Sequence, residues 1–159
     1  MSSGSPLETE ALEAFRTAQK ITRGVRRLLA TAGYSSVCEL VLPNGRRADV
    51  VGMSGSGGIL IVEVKSSAAD FRADSKWPEY LSYCDQFYFA LAPDGPVDLI
   101  PADVGLILAD PYSGEFVRNA PHNPMVGARR RPILLAFARH AANQLHALQD
   151  NQFKGAYSL

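Results

Sequence analysis

The chain has 159 residues, 47% of them hydrophobic and 20% charged, which is enough for one domain and too few for two of ordinary size. Its 16 basic and 16 acidic side chains cancel, so no overall field steers it to nucleic acid, and any such binding needs a local patch. Two cysteines, Cys38 and Cys84, with no CxxC pair, exclude a disulfide scaffold and give no support to a zinc site.

The N-terminus lacks the basic-then-apolar pattern of a signal peptide. The longest apolar runs, such as Ile59 to Val62, are far too short to cross a bilayer. The expected location is the cytoplasm, with no membrane partner.

Residues 7–32 predict a helix, with Leu12, Phe15, Ala18, Thr22, Val25, Leu28 and Leu29 recurring at helical spacing. Ser5 or Thr9 can cap it, and Gly33 follows its end. Acids lie early and bases late, as the helix dipole favours. Arg16, Lys20, Arg23 and Arg27 form a basic stripe, either a solvated face or a set of phosphate contacts.

A meander follows. Residues 37–42 are β-rich, Asn44-Gly45 predicts a tight two-residue hairpin turn, and residues 47–53 form a second strand. The Gly-rich Ser54–Gly58 stretch leads into a third strand, 59–65, rather than a helix, so it is read as a hairpin loop and not as a phosphate cradle. Residues 70–84 predict a helix with Trp77, Leu81 and Cys84 on one side, Pro78 in its first turn and Asp70 or Asp74 as cap. Residues 85–91 are strongly β, and short strands are expected at 104–109 and 115–118. A loop over 119–131 precedes a last helix from Pro132 to about Gln149, with Leu134, Leu135, Ala138, Leu145 and Leu148 inward. The expectation is an α/β fold in which helices flank a mixed sheet, forming a single domain over residues 1–159.

The chemistry concentrates in the second hairpin. If Met53 pairs with Ile59, then Asp49 opposes Glu63, and Lys65 lies on the same face. Two carboxylates at about 4 Å repel by roughly 4 kcal/mol in a protein-like dielectric. A shared proton, a lysine or a divalent cation must offset that. Two acids with a backbone carbonyl suit Mg²⁺, and an adjacent lysine can orient water or stabilise developing negative charge.

Asp49 followed one hairpin later by Glu63-Val64-Lys65 resembles the PD-(D/E)xK nuclease superfamily, although Arg47-Ala48 replaces the proline of its literal motif. The stretches Arg47–Val51, Ile61–Ser66, Asp70–Trp77 and Tyr83–Phe89 resemble the MmcB-like DNA repair family more closely. The resemblance implies a restriction-endonuclease-like αβββαβ core over residues 7–91, with extra strands and a C-terminal helix over 97–150. It implies Mg²⁺ or Mn²⁺ on Asp49, Glu63 and the Val64 carbonyl, and Lys65 at the attacking water or the phosphate. It also implies a polar residue from the following helix, for which Lys76 and Tyr80 are the candidates, and an acid from the first helix, Glu10 or Glu13.

Glu39 is a further candidate. A two-residue turn pairs it with Val50, on the face opposite Asp49, and another register would reverse that. Arg46 and Arg47 can add to a DNA-contacting surface with the first helix, and so can Arg129-Arg130-Arg131. His122, His140 and His146 do not cluster as ligands. Three readings follow: a metal-dependent DNA nuclease, a DNA-binding or scaffold module of a repair complex with little or no cleavage, and a protein-interaction subunit. No interface that would set an oligomeric state is legible.

Overall fold

The computed structural model describes residues 4–152. Helix α1 (Pro6–Thr31) is followed by strands β1 (Tyr34–Val41), β2 (Arg47–Ser54) and β3 (Ile59–Val64), a short helix α2 (Ala68–Ala73) and a 3-10 turn (Trp77–Tyr83). Strand β4 (Gln86–Leu91), a second 3-10 turn (Val97–Leu99), strands β5 (Gly105–Ala109) and β6 (Gly114–Arg118), and helix α3 (Gly127–Gln149) complete it. The six strands lie side by side in chain order. β3, β4 and β5 run parallel to their neighbours in that group, and the other pairings are antiparallel. The sheet is mixed and flanked by helices, and the order up to Leu91 is the expected αβββαβ.

Alternation along the strands separates two cores. Ile21, Val25 and Leu29 of α1 pack with Val50, Leu60, Val62, Tyr88 and Ile107 on one face. On the other, Val51, Ile61, Phe87 and Phe89 meet Ile133 and Phe137 of α3 and the aromatic rings of residues 71–80. Trp77 stacks on Phe87 at 5.6 Å and meets Phe89 edge-on at 5.3 Å, which seats the 3-10 turn on the sheet. Gly24 lets α1 approach the β5–β6 turn, since a Cβ there would lie 1.9 Å from the Asp110 carbonyl oxygen.

Ser5 caps α1 in a reciprocal capping box with Glu8. The helix buries its apolar stripe only from Ile21 onward, so Leu12 and Phe15, expected inward, are exposed. The first turns of α1 extend past the sheet that covers the rest.

Four other expectations change. The first hairpin closes through three residues, Pro43-Asn44-Gly45. Gly45 takes φ 82° and its N–H donates to the Leu42 carbonyl, while the Asn44 side chain accepts from the Arg46 N–H. Cys38 therefore pairs with Val50 and Leu40 with Ala48, so Glu39 opposes Asp49 rather than Val50.

The helix expected over 70–84 is broken. Ser67 caps α2, and the Asp74 carboxylate accepts the N–H groups of Lys76 and Trp77, turning the chain before Pro78. Helix α3 begins at Gly127 and carries Pro132 within it, so Arg129, Arg130 and Arg131 belong to its opening turns and not to a loop. Finally, α3 buries Ile133 and Phe137, while Leu135, Leu145 and Leu148 are exposed. No helix among the described residues is long and apolar enough to cross a membrane.

Candidate functional site

The β2–β3 register is the expected one, with Met53 opposite Ile59 and Val51 opposite Ile61. The ladder stops at Val50–Val62, one residue short of Asp49 and Glu63. The β1–β2 ladder also skips the Glu39–Asp49 step, where Glu39 holds a left-handed φ of 55°. A glutamate in that region is strained, and such strain persists where the surroundings enforce it. Side chains replace the missing backbone bonds between β2 and β3. The Asp49 N–H donates to Glu63 Oε1 at 3.1 Å, and the Val64 N–H donates to Asp49 Oδ2 at 2.8 Å. Each acid thus accepts from the backbone of the other's strand, which holds both carboxylates in the opening between the strands.

Their electrostatics follow from that placement. Glu63 is 5% exposed. Burial first, and the neighbouring Asp49 charge second, push its pKa from 4.5 up to about 8. Burial also raises Asp49, against the Val64 N–H and the Lys65 charge, which favour its ionised form. Among the described residues, no salt bridge joins either acid to a cation.

Lys65, 7% exposed, donates instead to Asp74 Oδ2 at 2.7 Å. Burial works against the Asp74 carboxylate, but Lys65 and the N–H groups of Lys76 and Trp77 outweigh it and hold its pKa below the ordinary value. Asp74 had entered the sequence reading only as a possible helix cap; its grip on the lysine needed the fold to be seen.

Asp49, Glu63 and Lys65 line a cleft of about 1250 Å³. The cleft spans from α1 (Phe15, Gln19, Thr22, Arg23, Arg26, Arg27) across β1 (Ser36, Cys38, Glu39) to Asp49, Glu63, Val64, Lys65 and Asp70. Arg23 and Arg27 of the basic stripe line it, and Arg26 joins them, held by hydrogen bonds to the Ser36 hydroxyl and carbonyl at 3.0 Å. Arg26 was missed because it lies off the stripe's spacing. Glu39 is also in the cleft. Asp70 lines it too, with its carboxylate turned back onto Ser66.

The remaining sequence candidates lie elsewhere. Arg16, Lys20 and Glu13 are exposed on α1 and do not line the cleft. Lys76 is exposed at the start of the 3-10 turn. Tyr80 is buried in the core and donates to the Arg47 carbonyl at 2.9 Å; burial and the Glu63 and Asp49 charges raise its pKa. Arg46 is paired with Glu79, and Arg47 is exposed away from the cleft. Arg130 makes a two-pronged pair with Asp85, and Arg129 donates to the Ser82 carbonyl, so both serve to fasten α3.

Among the described residues, no three His, Cys, Asp or Glu side chains converge as a metal cluster. The donor set is smaller: two adjacent, desolvated carboxylates and a backbone carbonyl. That set fits a hard divalent cation of the magnesium kind, which completes its shell with water. It does not fit zinc, which takes nitrogen and sulfur ligands in closed sites.

The pair predicts an unusual pH dependence without metal. Because the native pKa of Glu63 is raised, the folded chain holds a proton that the unfolded chain has lost between pH 4.5 and about 8. The Glu63 contribution to stability is therefore full below pH 4.5 and falls as pH rises through that window, by at most roughly 1.4 kcal/mol per unit. Urea unfolding in EDTA at pH 5.5 and pH 8 is expected to show the wild type weaker at pH 8 and Glu63→Gln nearly flat. Equal slopes for the two proteins would contradict the buried-pair account.

The fold is thus that of an α/β protein with an acid pair where two strands part, a lysine beside it and arginines along the adjoining cleft. Residues 8–152 match the family described as DNA repair protein MmcB-like, and the chain belongs to that family. Among solved structures it is similar to a protein of unknown function from Silicibacter pomeroyi, at 43% identity and a TM-score of 0.85, over 89% of this chain and 97% of that one. No curated protein matches the chain.

Proposed function

We propose that this protein acts in DNA repair as a divalent-metal-dependent hydrolase of DNA phosphodiesters, with the superfamily relationship suggested by its Asp…Glu-x-Lys pattern. The observation that carries the reading is the Asp49–Glu63 pair: a half-buried and a buried carboxyl group, bridged by backbone N–H groups and, among the described residues, in no salt bridge to a cation. A sheet that needed only stability would not place them there.

Asp49, Glu63 and the Val64 carbonyl would hold Mg²⁺ or Mn²⁺, which supplies a water of lowered pKa and neutralises charge on the phosphate. The chain's own contributions are distinct. Asp49 and Glu63 are pre-positioned by the reciprocal hydrogen bonds, so no ordering is required at the moment of reaction. Lys65 is held in one orientation by Asp74, ready to place an ammonium beside the scissile phosphate or the attacking water. Arg23, Arg26 and Arg27 would take the flanking phosphates.

One observation favours a second reading. The Lys65–Asp74 pair partly neutralises the ammonium that catalysis would use, as a DNA-binding module with little cleavage would allow. Labelled single-stranded, nicked, flapped and branched DNA, incubated with and without Mg²⁺ or Mn²⁺, decides between them. Metal-dependent cleavage of at least one substrate supports the hydrolase. Salt-sensitive binding without cleavage of any substrate supports the module.

A further inference from the structure

We infer that the cleft accepts a single DNA strand with its bases unstacked, and not an intact duplex. This deepens the function proposed above and rests on it. Phe15 is 59% exposed yet lines the cleft, on α1 about two turns before Arg23. Beside that arginine row, outside the cleft lining, Tyr112 in the β5–β6 turn is 71% exposed and lies under the Arg23 guanidinium, 6.0 Å from ring centre to Cζ. Arg27 donates to the Tyr112 carbonyl at 3.1 Å, which ties that turn to α1. An exposed ring thus lines the cleft at Phe15 and another lies beside the arginines at Tyr112, and none of the three arginines is in a salt bridge to a carboxylate among the described residues.

Cations that follow a backbone, alternating with aromatic faces for bases, are the recognition chemistry of single strands. A duplex keeps its bases stacked inside and has no use for Phe15. It is also read by elements that protrude into a groove, whereas these arginines line a concavity. With no net charge on the protein, little duplex affinity would come from its overall field.

The test uses the full chain in EDTA, and again with Ca²⁺, so that binding is read apart from Mg²⁺-supported cleavage. Fluorescence anisotropy compares labelled oligothymidylate with a blunt duplex of equal length. The single strand is expected to bind at least about tenfold tighter. Phe15→Ala is expected to weaken it about tenfold with the salt dependence unchanged, and Phe15→Trp to restore it. Arg23→Ala is expected to reduce the salt slope by about 0.7.

Equal affinity for both forms, or an unchanged Phe15→Ala, overturns the single-strand assignment and leaves the DNA reading standing. Binding to neither form under either condition overturns both. A solution dimer that Phe15→Ala dissociates would assign this ring to a second copy and overturn the inference as well.

Discussion

Asp49→Asn is expected to abolish metal-dependent DNA cleavage, lowering the rate by about a thousandfold or more while the fold persists. The magnitude follows from the several kcal/mol that a bound cation contributes to stabilising charge at a reacting phosphate, at 1.36 kcal/mol per factor of ten. Asparagine keeps an oxygen that can accept the Val64 N–H, so the bond at 2.8 Å that closes the strand opening survives. The charge that would hold the cation does not.

Glu63→Gln is expected to behave alike, because its amide oxygen can still accept the Asp49 N–H. Two controls make the result specific. Both variants should lose the stabilisation that Mg²⁺ confers on wild-type unfolding, since a ligand that binds only the native state raises its stability. Both should also keep their affinity for DNA in EDTA. Cleavage by Asp49→Asn at the wild-type rate would remove the pair from the chemistry and leave only a polar network.

The largest loss of stability is expected at Asp85, which no catalytic role requires. Its carboxylate is 5% exposed and accepts from Ile59 N–H at 2.8 Å, Met125 N–H at 2.7 Å and both arms of Arg130 at 2.6 and 2.8 Å. The start of β3, the segment before α3 and α3 itself therefore meet at one side chain. Arg130 holds the Asp85 carboxyl well below the usual carboxylate range, against the opposing effect of burial. Asp85→Ala strands two backbone N–H groups and a half-buried guanidinium, a loss of about 3–5 kcal/mol. For a chain of this size that lowers the melting temperature by roughly 10 °C.

The sign with pH is opposite to that of Glu63. The native pKa of Asp85 is depressed, so its contribution is present above the unfolded value of 3.8 and is lost as pH falls below it. Chemical unfolding at pH 7 and pH 3 should show the wild type losing stability in acid and Asp85→Ala losing much less. A variant within 1 kcal/mol of wild type at pH 7 would show that the hub is redundant.

Two opposed titrations in one small sheet separate its parts. The Asp85 hub is at full strength at neutral pH, while the strain on the Asp49–Glu63 pair without metal grows as pH rises toward about 8. Stability has been conceded at the strand opening and recovered at the other end of β3, the usual division between a functional site and its scaffold.

The residues that could be read in advance were those whose geometry is local. The five-residue Ser54–Gly58 loop sets the β2–β3 register, and a period of two then brings Asp49 beside Glu63 with no further information. Ser5 and Glu8 start α1 by contacts three residues apart. The first hairpin was misread by one residue because Pro43 and Gly45 make a three-residue loop. Glu39 consequently moved from opposite Val50 to opposite Asp49. The break at Asp74 and the early start of α3 arise where side chains compete with the helix ladder or where a distant partner, Asp85, captures an arginine.

By itself, then, the sequence determined the order of elements, the acid pair with its nearby lysine, and the basic polarity of α1, since each depends on spacing along the chain. Only the tertiary structure decided which cations are free. Lys65 is claimed by Asp74, Arg46 by Glu79 and Arg130 by Asp85, while Arg23, Arg26 and Arg27 are left along the cleft with the ring of Phe15 uncovered. Charge pairing and exposure are settled by which surfaces meet across the fold, and separation in sequence carries almost no information about that.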